Sequence, residues 1–336
     1  MTAPRISVLI VNYNAGARIV RCLRALADQT VSHFEVVLVD NGSADGSLAL
    51  ARDAAAGLDL QVLEAGENLG FAAGNNRAAE IARGEWLALL NPDAYPKPDW
   101  LEQLLEATDH YPDVAAFGSL QIDAADETRL DGGGDVMNAS GVYYRGGYGA
   151  PTESAPREDA ETFAPCAAAA LWRAEIFRAL GGFDERFFCY GEDVDLAYRH
   201  RLEGGRIVQV AAARVLHEGS GLTGRRSGFS VYHGVRNRSW VFVQNTPGWL
   251  FPALAPLHIA ATALFFLRAV ATGSGGAYAR AMRDAIAGLP ETLKTRRRIQ
   301  GRRSTSVGQI ARAMSWSPVR LLRRAPDLRP FPPHAP

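Results

Sequence analysis

Two uninterrupted apolar runs near the start of the chain, Ile6 to Val11 and Phe34 to Val39, each end in polar turn residues and give way to an alanine- and leucine-rich helical pattern. A run without polar interruption suits a strand covered on both faces, the situation of a parallel strand with helices above and below it. Leu60 to Leu63 and Trp86 to Leu90 continue the series, with helices expected near residues 16–28, 46–56, 72–83 and 99–110. Strand and helix alternating in this way predict an α/β doubly wound sheet, whose ligands gather at the carboxyl ends of the strands.

Past a strand expected at Val114 to Gln121 the pattern loosens. Residues 123–162 are rich in Gly, Asp and Tyr and contain Asp131-Gly132-Gly133-Gly134-Asp135. So long an irregular stretch reads as a working loop or an insert. Helices are expected again at Trp172 to Leu180 and Val194 to Leu202, followed by a short strand at Arg206 to Val210. The 336 residues then divide into a domain over 1–245, with halves of about 1–122 and 123–245, and a helical extension over 246–336.

The zero net charge conceals an acidic body and a basic tail. Residues 268–336 carry 14 Lys/Arg against 3 Asp/Glu, which leaves 22 basic and 33 acidic side chains in residues 1–267. An acidic body argues against nucleic acid as the ligand, and a basic tail behind an apolar segment points to an anionic membrane surface. That segment, Trp249 to Leu267, is nineteen residues long, at the short end for a bilayer span, and is interrupted by Pro252 and Pro256. With Arg296, Arg297, Arg298, Arg302 and Arg303 beyond it, it reads as a peripheral or monotopic anchor, a core helix of a C-terminal bundle being the alternative. Cys22, Cys166 and Cys189 are odd in number and lack CxxC spacing, so neither a disulfide framework nor a zinc site is expected, in keeping with a reducing cytoplasm. Met1 to Arg5 runs straight into the first strand, so no secretory leader is expected.

The polar residues that follow the strands are the candidates for chemistry. Asn12-Tyr13-Asn14 follows the first strand and Asp40-Asn41-Gly42-Ser43 the second, so both emerge on one sheet edge. An Asp there can accept a pyrimidine N–H, and amides can meet ribose or phosphate; a turn or helix cap is the structural alternative. Asn68, Gly70, Gly74 and Asn75 lie in a glycine-bearing stretch that would let backbone approach a ligand or simply turn. Asn91-Pro92-Asp93 ends the fourth strand, where a carboxylate can hold Mg²⁺ or Mn²⁺, or cap a helix.

Gly191-Glu192-Asp193-Val194-Asp195 packs three carboxylates into the start of a helix. The helix dipole accounts for at least one of them; Asp193 is the candidate general base, and Asp195 caps or pairs with Arg199. His217, expected at the start of a loop, is a candidate metal ligand with Asp93. Asp131, Asp135 and Asp184 are read as acceptor-side residues or as turns and caps, and Arg225, Arg226 and Arg236 as diphosphate contacts or solvent-facing charges.

In order, VLIVNYN, VVLVDNGSADGS, ENLGFAAGNN, LALLNPDA, GGFDERFFCYGEDVDLAYR and VLHEGSG span residues 6–221. With these pieces the chain resembles the inverting glycosyltransferases of family 2, of GT-A fold, and within them the rhamnosyltransferase-like branch. The resemblance implies a nucleotide-sugar half over about 1–122 and an acceptor half over about 123–245. It implies Asp40 on the pyrimidine with Asn12, Asn14 and Asn75 around it. Asp93 becomes the remaining acid of a DXD metal motif, with Asn91 in the first acid's place, and His217 the second metal ligand. Asp193 becomes the base, with Glu192 its neighbour. The donor implied is dTDP-L-rhamnose, with UDP-hexoses as the alternative. The acceptor implied is a saccharide on polyprenyl diphosphate at the cytoplasmic face of the inner membrane. A nucleotidyltransferase would place a lysine near the phosphates, and only Lys97 and Lys294 exist. A non-catalytic nucleotide-sugar scaffold is the other competing reading.

Overall fold

A computed structural model describes residues 4–219 and 227–331. The first half follows the expected alternation: β1 (Ile6–Asn12), α1 (Arg18–Ala27), β2 (Phe34–Asp40), α2 (Ser47–Ala54), β3 (Asp59–Glu64), α3 (Gly70–Ile81) and β4 (Trp86–Leu90). In α1 the buried residues are Ile19, Cys22, Leu23 and Leu26, the spacing of one helical face, and that stripe is what docks the helix on the sheet. A short β5 (Ala94–Pro96), α4 (Trp100–His110) and β6 (Ala116–Asp123) follow.

The stretch 123–162 is not unstructured. It contains β7 (Leu130–Gly132), β8 (Asp135–Met137), β9 (Tyr143–Arg145) and β10 (Ala160–Glu161), strands too short for periodicity to reveal. The helix expected from Trp172 begins at Ala174 instead. Trp172 and Arg173 end β11 (Ala169–Arg173), and α5 (Ala174–Ala179) is only six residues long. Then come α6 (Glu192–Leu202) and β12 (Ile207–His217), a strand of 11 residues where a short one was expected. Its register shift between Val210 and Arg214 breaks the pattern that would have shown its length.

The main sheet runs β13-β10-β12-β6-β11-β4-β1-β2-β3, with β13 being Arg329–Pro330. β1 pairs in parallel with both β2 and β4, and β2 with β3, whereas β11 is antiparallel to β4 and β6. The chain winds outward from β1 to β3 and then crosses to β4 on the other side of β1. Such a reversal opens a crevice at the carboxyl ends of β1 and β4.

The C-terminal part is helical: α7 (Gly228–Asn245), α8 (Leu250–Ala271), α9 (Gly275–Ala287), α10 (Leu289–Arg302), α11 (Val307–Ala313) and α12 (Pro318–Arg323). Leu250, Leu254, Ile299, Ile310 and Met314 belong to the same buried cluster as Leu89 of β4 and Leu196 of α6. Among the described residues α8 is the one helix long and apolar enough to cross a membrane, with 17% of its apolar window buried. Both prolines lie inside it; Pro252 falls in the first turn, where no intrahelical N–H bond is lost.

Candidate active site

The register of β1 on β2 sets Asn12 beside Asp40. Asn12 Nδ2 donates to Asp40 Oδ1 at 2.7 Å, and the Ser43 amide donates to Asp40 Oδ2 at 3.0 Å. Asp40 is thereby held rigid at the strand end with acceptor positions still open. Asn14 accepts the Ala44 amide at 2.8 Å, and Tyr13 is exposed between them. Asn41 donates to the Gly70 carbonyl at 2.9 Å, which ties the ends of β2 and α3 together, while its Oδ1 is buried without a partner. Gly42 has φ +71° and its α-hydrogen side faces the Glu67 backbone, so a side chain there would be both strained and blocked.

The stretch around Asn68 is helix earlier than expected. Asn68 Oδ1 accepts the Gly70 amide at 3.0 Å at the entry to α3. Gly74 lies within α3, where a Cβ would come within 2.8 Å of the Val11 side chain; its missing side chain brings helix and strand together. Gly70 is likewise covered by Phe188, and Asn75 donates back to the Phe71 carbonyl at 2.9 Å. Gly70, Gly74 and Asn75, the residues expected near a nucleotide, pack against Phe188, Val11 and the Phe71 carbonyl.

β5 pairs antiparallel with the end of β12, Ala94 opposite His217, and this pairing brings Asp93 to the histidine. His217 ends a strand and is 2% exposed, so it is not the loop residue expected. Its Nε2 lies 3.4 Å from Asp93 Oδ1 and 3.4 Å from Asn91 Nδ2. Its Nδ1 donates to Asp131 Oδ2 at 2.7 Å, and Arg145 pairs with the same carboxylate. Burial opposes charge on His217, but the neighbouring Asp131 and Asp93 carboxylates outweigh it and raise the imidazole's pKa. Asp93 Oδ1 and Asn91 Oδ1 are buried and make no hydrogen bond. An orphaned carboxylate oxygen facing a ring nitrogen whose partner nitrogen is held by another carboxylate fits a divalent cation of the Mg²⁺ or Mn²⁺ kind.

On the other side of β4, the Ala167 amide donates to Asp193 Oδ2 at 3.2 Å and the Val194 amide to Oδ1 at 2.8 Å. The Asn91 amide, one residue along, donates to the Ala168 carbonyl at 2.9 Å. The segment 167–168 therefore holds the base candidate on one residue and the Asn91-Pro92-Asp93 turn on the next. Asn91 and Asp193 line one cavity of about 260 Å³ with Asp135, Tyr143, Arg145 and Cys166.

Burial raises the pKa of Asp193, against its amide hydrogen bonds and Arg145. Burial and the Asp193 charge hold Glu192 well above the usual carboxylate range. Asp135 is pushed up to about 8 by burial and by Asp193. Asp135, Cys166 and Asp193 place ligand atoms within 4.8 Å of one another, a second cluster of metal-ligating side chains. Burial lifts the Cys166 thiol to about 12 and, with the Asp193 charge, Asp135 to about 8. Asp93 and His217 are the other candidate for a cation, carried by their 3.4 Å approach and the orphaned Asp93 Oδ1.

The turn leading into α6 is unusual: Phe188 and Tyr190 have φ +63° and +72°. Asn237 of α7 holds it, donating to the carbonyls of Phe187, Cys189 and Tyr190 at 2.9, 2.9 and 2.7 Å. Gly191, φ +87°, then leaves room for the Tyr143 hydroxyl. Asp195 pairs with Arg199 at 2.9 Å, as expected, and is also bound by Gln244 and Asn245.

Asp184 and Arg236 are committed elsewhere. Asp184 caps the turn at 185–187 and pairs with Arg186 at 2.5 Å, and Arg236 donates to the carbonyls of Arg186 and Phe187 at 3.0 Å. Carbonyls of that irregular turn need donors, and Arg236 supplies them. Arg225 and Arg226 lie outside the described residues. Sequence reasoning did not reach Arg145, Tyr143, Cys166 or Asn237. It singled out Asp131 and Asp135 by their acid–glycine spacing, but not that Asp131 bonds His217 or that Asp135 is buried beside the like charge of Asp193.

Residues 7–177 match the family model for glycosyl transferase family 2. The chain is 31% identical over 245 residues to the N-acetylglucosaminyl-diphospho-decaprenol L-rhamnosyltransferase of Mycobacterium tuberculosis, covering 65% of this chain and 77% of that one. The structure resembles S. aureus TarS (residues 1–349) in complex with UDP-GlcNAc, with TM-score 0.58, 19% identity, and 91% and 89% of the two chains covered. It also resembles the mannosyltransferase PcManGT from Pyrobaculum calidifontis in complex with GDP-Man and Mn²⁺, with TM-score 0.55, 21% identity, and 93% and 87% covered.

Proposed function

We propose, from the premise that this chain belongs to glycosyl transferase family 2 and is a glycosyltransferase of GT-A fold, that it moves L-rhamnose from dTDP-rhamnose onto a saccharide carried by a polyprenyl diphosphate. The observation that supports this reading is the shared segment 167–168, which joins Asp193 to the Asn91-Pro92-Asp93 turn, the closeness that a base acting beside a departing diphosphate requires. The mycobacterial relative, named for a rhamnosyl transfer to a diphospho-decaprenol, supports the donor and acceptor kinds.

Asp40 faces the base of the nucleotide, with Asn12 and Ser43 fixing its orientation. Asp93 and His217 would hold a divalent cation, and such a cation would supply positive charge to offset that of the departing diphosphate. Asp193 accepts the proton of the acceptor hydroxyl as that oxygen bonds to the anomeric carbon and the bond to the diphosphate oxygen breaks on the opposite face. A single displacement inverts the anomeric centre without a covalent glycosyl-enzyme, so no second carboxylate at nucleophile distance is required. Burial and the Asp193 charge hold the carboxyl of Glu192, beside Asp193, well above the usual carboxylate range, which disfavours a second negative charge there. The exposed apolar face of α8, with Leu257, Ile259, Leu264 and Leu267, and the arginines of α10 seat the enzyme at the cytoplasmic face of the inner membrane, where its acceptor resides.

The test is a donor panel: protein and Mn²⁺ with dTDP-rhamnose, UDP-glucose, UDP-galactose or GDP-mannose, plus a prenyl-diphosphate-GlcNAc acceptor. Acceptor-dependent transfer from dTDP-rhamnose is expected. Transfer from a UDP-hexose instead would replace the donor and leave the mechanism standing.

A further inference from the structure

Between α7, α8 and α9 lies a second cavity, of about 770 Å³ and lined almost wholly by carbon. Its size is that of a ligand pocket rather than a packing fault. At its mouth stand Ile259, Phe266 and Ile286, large apolar side chains that are all exposed. Its inner wall is His258, stacked on Phe242 with ring centroids 4.1 Å apart. His258 Nδ1 donates to the Ser140 carbonyl at 2.9 Å, and Gly141 packs on the same two rings. Two residues further along is Tyr143, which lines the cavity that holds Asp193. One turn of chain, Ser140 to Tyr143, thus separates the apolar cavity from the candidate active site.

Arg238 of α7 lies beside this partition. Its Nη2 donates to the hydroxyl of Tyr278, a cavity residue, at 2.8 Å, and its guanidinium lies 5.2 Å from the Phe265 ring centroid. Its Nε is buried without a hydrogen-bond partner, and among the described residues no carboxylate pairs with it. The Arg238 charge acts on both sides of the partition, on Tyr143 and on His258. A cation short of partners, set between an apolar cavity and a base, is what an amphiphile with an anionic joint requires.

We propose that this cavity seats the isoprenoid tail of the acceptor, with Arg238 against its diphosphate, so that the attached saccharide reaches Asp193. Arg238 bonds to Tyr278 of the cavity and its charge reaches Tyr143 of the active-site cavity, so a molecule ordered tail, diphosphate, sugar would pass from the cavity by Arg238 to the site. The occupant follows from the proposed acceptor and rests on that reading. The apolar rim faces the same side as the exposed surface of α8, which lets a long tail run on into the bilayer.

The experiment is photolabelling of the full chain in detergent with a diazirine-bearing farnesyl diphosphate, followed by peptide mapping. Label is expected on α8 or α9 residues of the cavity, with protection by farnesyl diphosphate and much weaker protection by farnesol or by phosphatidylglycerol vesicles. Ala263→Trp, at an exposed position of the lining, should fill the cavity and cut labelling about tenfold. The same variant should raise the KM of a long-chain acceptor while leaving that of a short-chain soluble acceptor with the same sugar unchanged. Label elsewhere, or none, overturns the proposal. Equal protection by phospholipid overturns it in favour of a membrane-insertion seat, and equal protection by farnesol removes Arg238 from it. Cavity label without sugar transfer to any diphosphate-linked acceptor would keep the site and sink the proposed reaction. Transfer indifferent to chain length in both proteins would do the reverse.

Discussion

Asp131 accepts the Nδ1 hydrogen of His217 at 2.7 Å and so presents the opposite ring nitrogen to Asp93, 3.4 Å away. Asp131 lies in β7 and Asp93 in the turn before β5, and they meet on one imidazole because the end of β12 pairs with both β5 and β6, the strand that also pairs with β7.

The first consequence concerns metal affinity. Removing the carboxylate that orients a ligating histidine typically weakens binding by about 10–100-fold. Asp131→Asn should raise the Mn²⁺ concentration for half-maximal activity by that order, with little change in kcat at saturating metal. An unchanged Mn²⁺ titration curve would remove His217 from the metal site.

Asp193→Asn should lower kcat by about 10²–10⁴-fold while leaving the donor KM near its wild-type value, since the amide keeps the shape but cannot take a proton. Nucleoside diphosphate release under saturating donor and acceptor is the readout. Turnover near wild type would reassign the base.

Protonation gives a third test. Asp135 is raised to about 8 by burial and Asp193, against an ordinary value near 3.9 in the unfolded chain. Between those values the folded protein holds a proton that the unfolded chain has lost. Stability from this group is therefore present at acid pH and declines as pH rises toward about 8. Thermal denaturation from pH 5 to 9 should show Tm falling for the wild type and a shallower slope for Asp135→Asn. Parallel slopes would mean that Asp135 is ionised in the fold. In activity, the raised pKa of Asp193 puts the acid limb of kcat/KM above the ordinary carboxylate range, because the base works only once deprotonated.

Asn237 donates to three carbonyls of a turn that contains two left-handed non-glycine residues. Asn237→Ala should cost about 1–3 kcal/mol in urea denaturation, the range for unpaired buried polar groups, and lower kcat more than KM by loosening the entry to α6. A loss of stability with kcat intact would make the turn a structural element alone.

The four parallel strands, their helices and the polar residues at the strand ends were legible in the chain because each depends on local pattern: apolar runs for buried strands, a 3.6-residue stripe for α1. The ordered pieces from residue 6 to 221 carried the family as well. The short strands between 130 and 161 were not legible, since three residues hold no period. Nor was β11, whose alanines suit helix and strand alike and which is a strand because it fills the gap between β4 and β6.

The site divides in the same way. Asp40, Asp93, Asp193 and His217 could be chosen from the sequence as chemically able residues at the ends of elements. Which of them meet was decided by tertiary pairing: β5 against β12 for Asp93 and His217, segment 167–168 for Asp193 and Asn91. For Gly70, Gly74 and Arg236 the sequence showed residue types able to meet a ligand, and the tertiary structure adds their packing against Phe188, Val11 and the 185–187 turn. Local sequence determines what a residue can do and which element carries it. Long-range contact determines its neighbours, and with them the burial and charge that set its proton affinity.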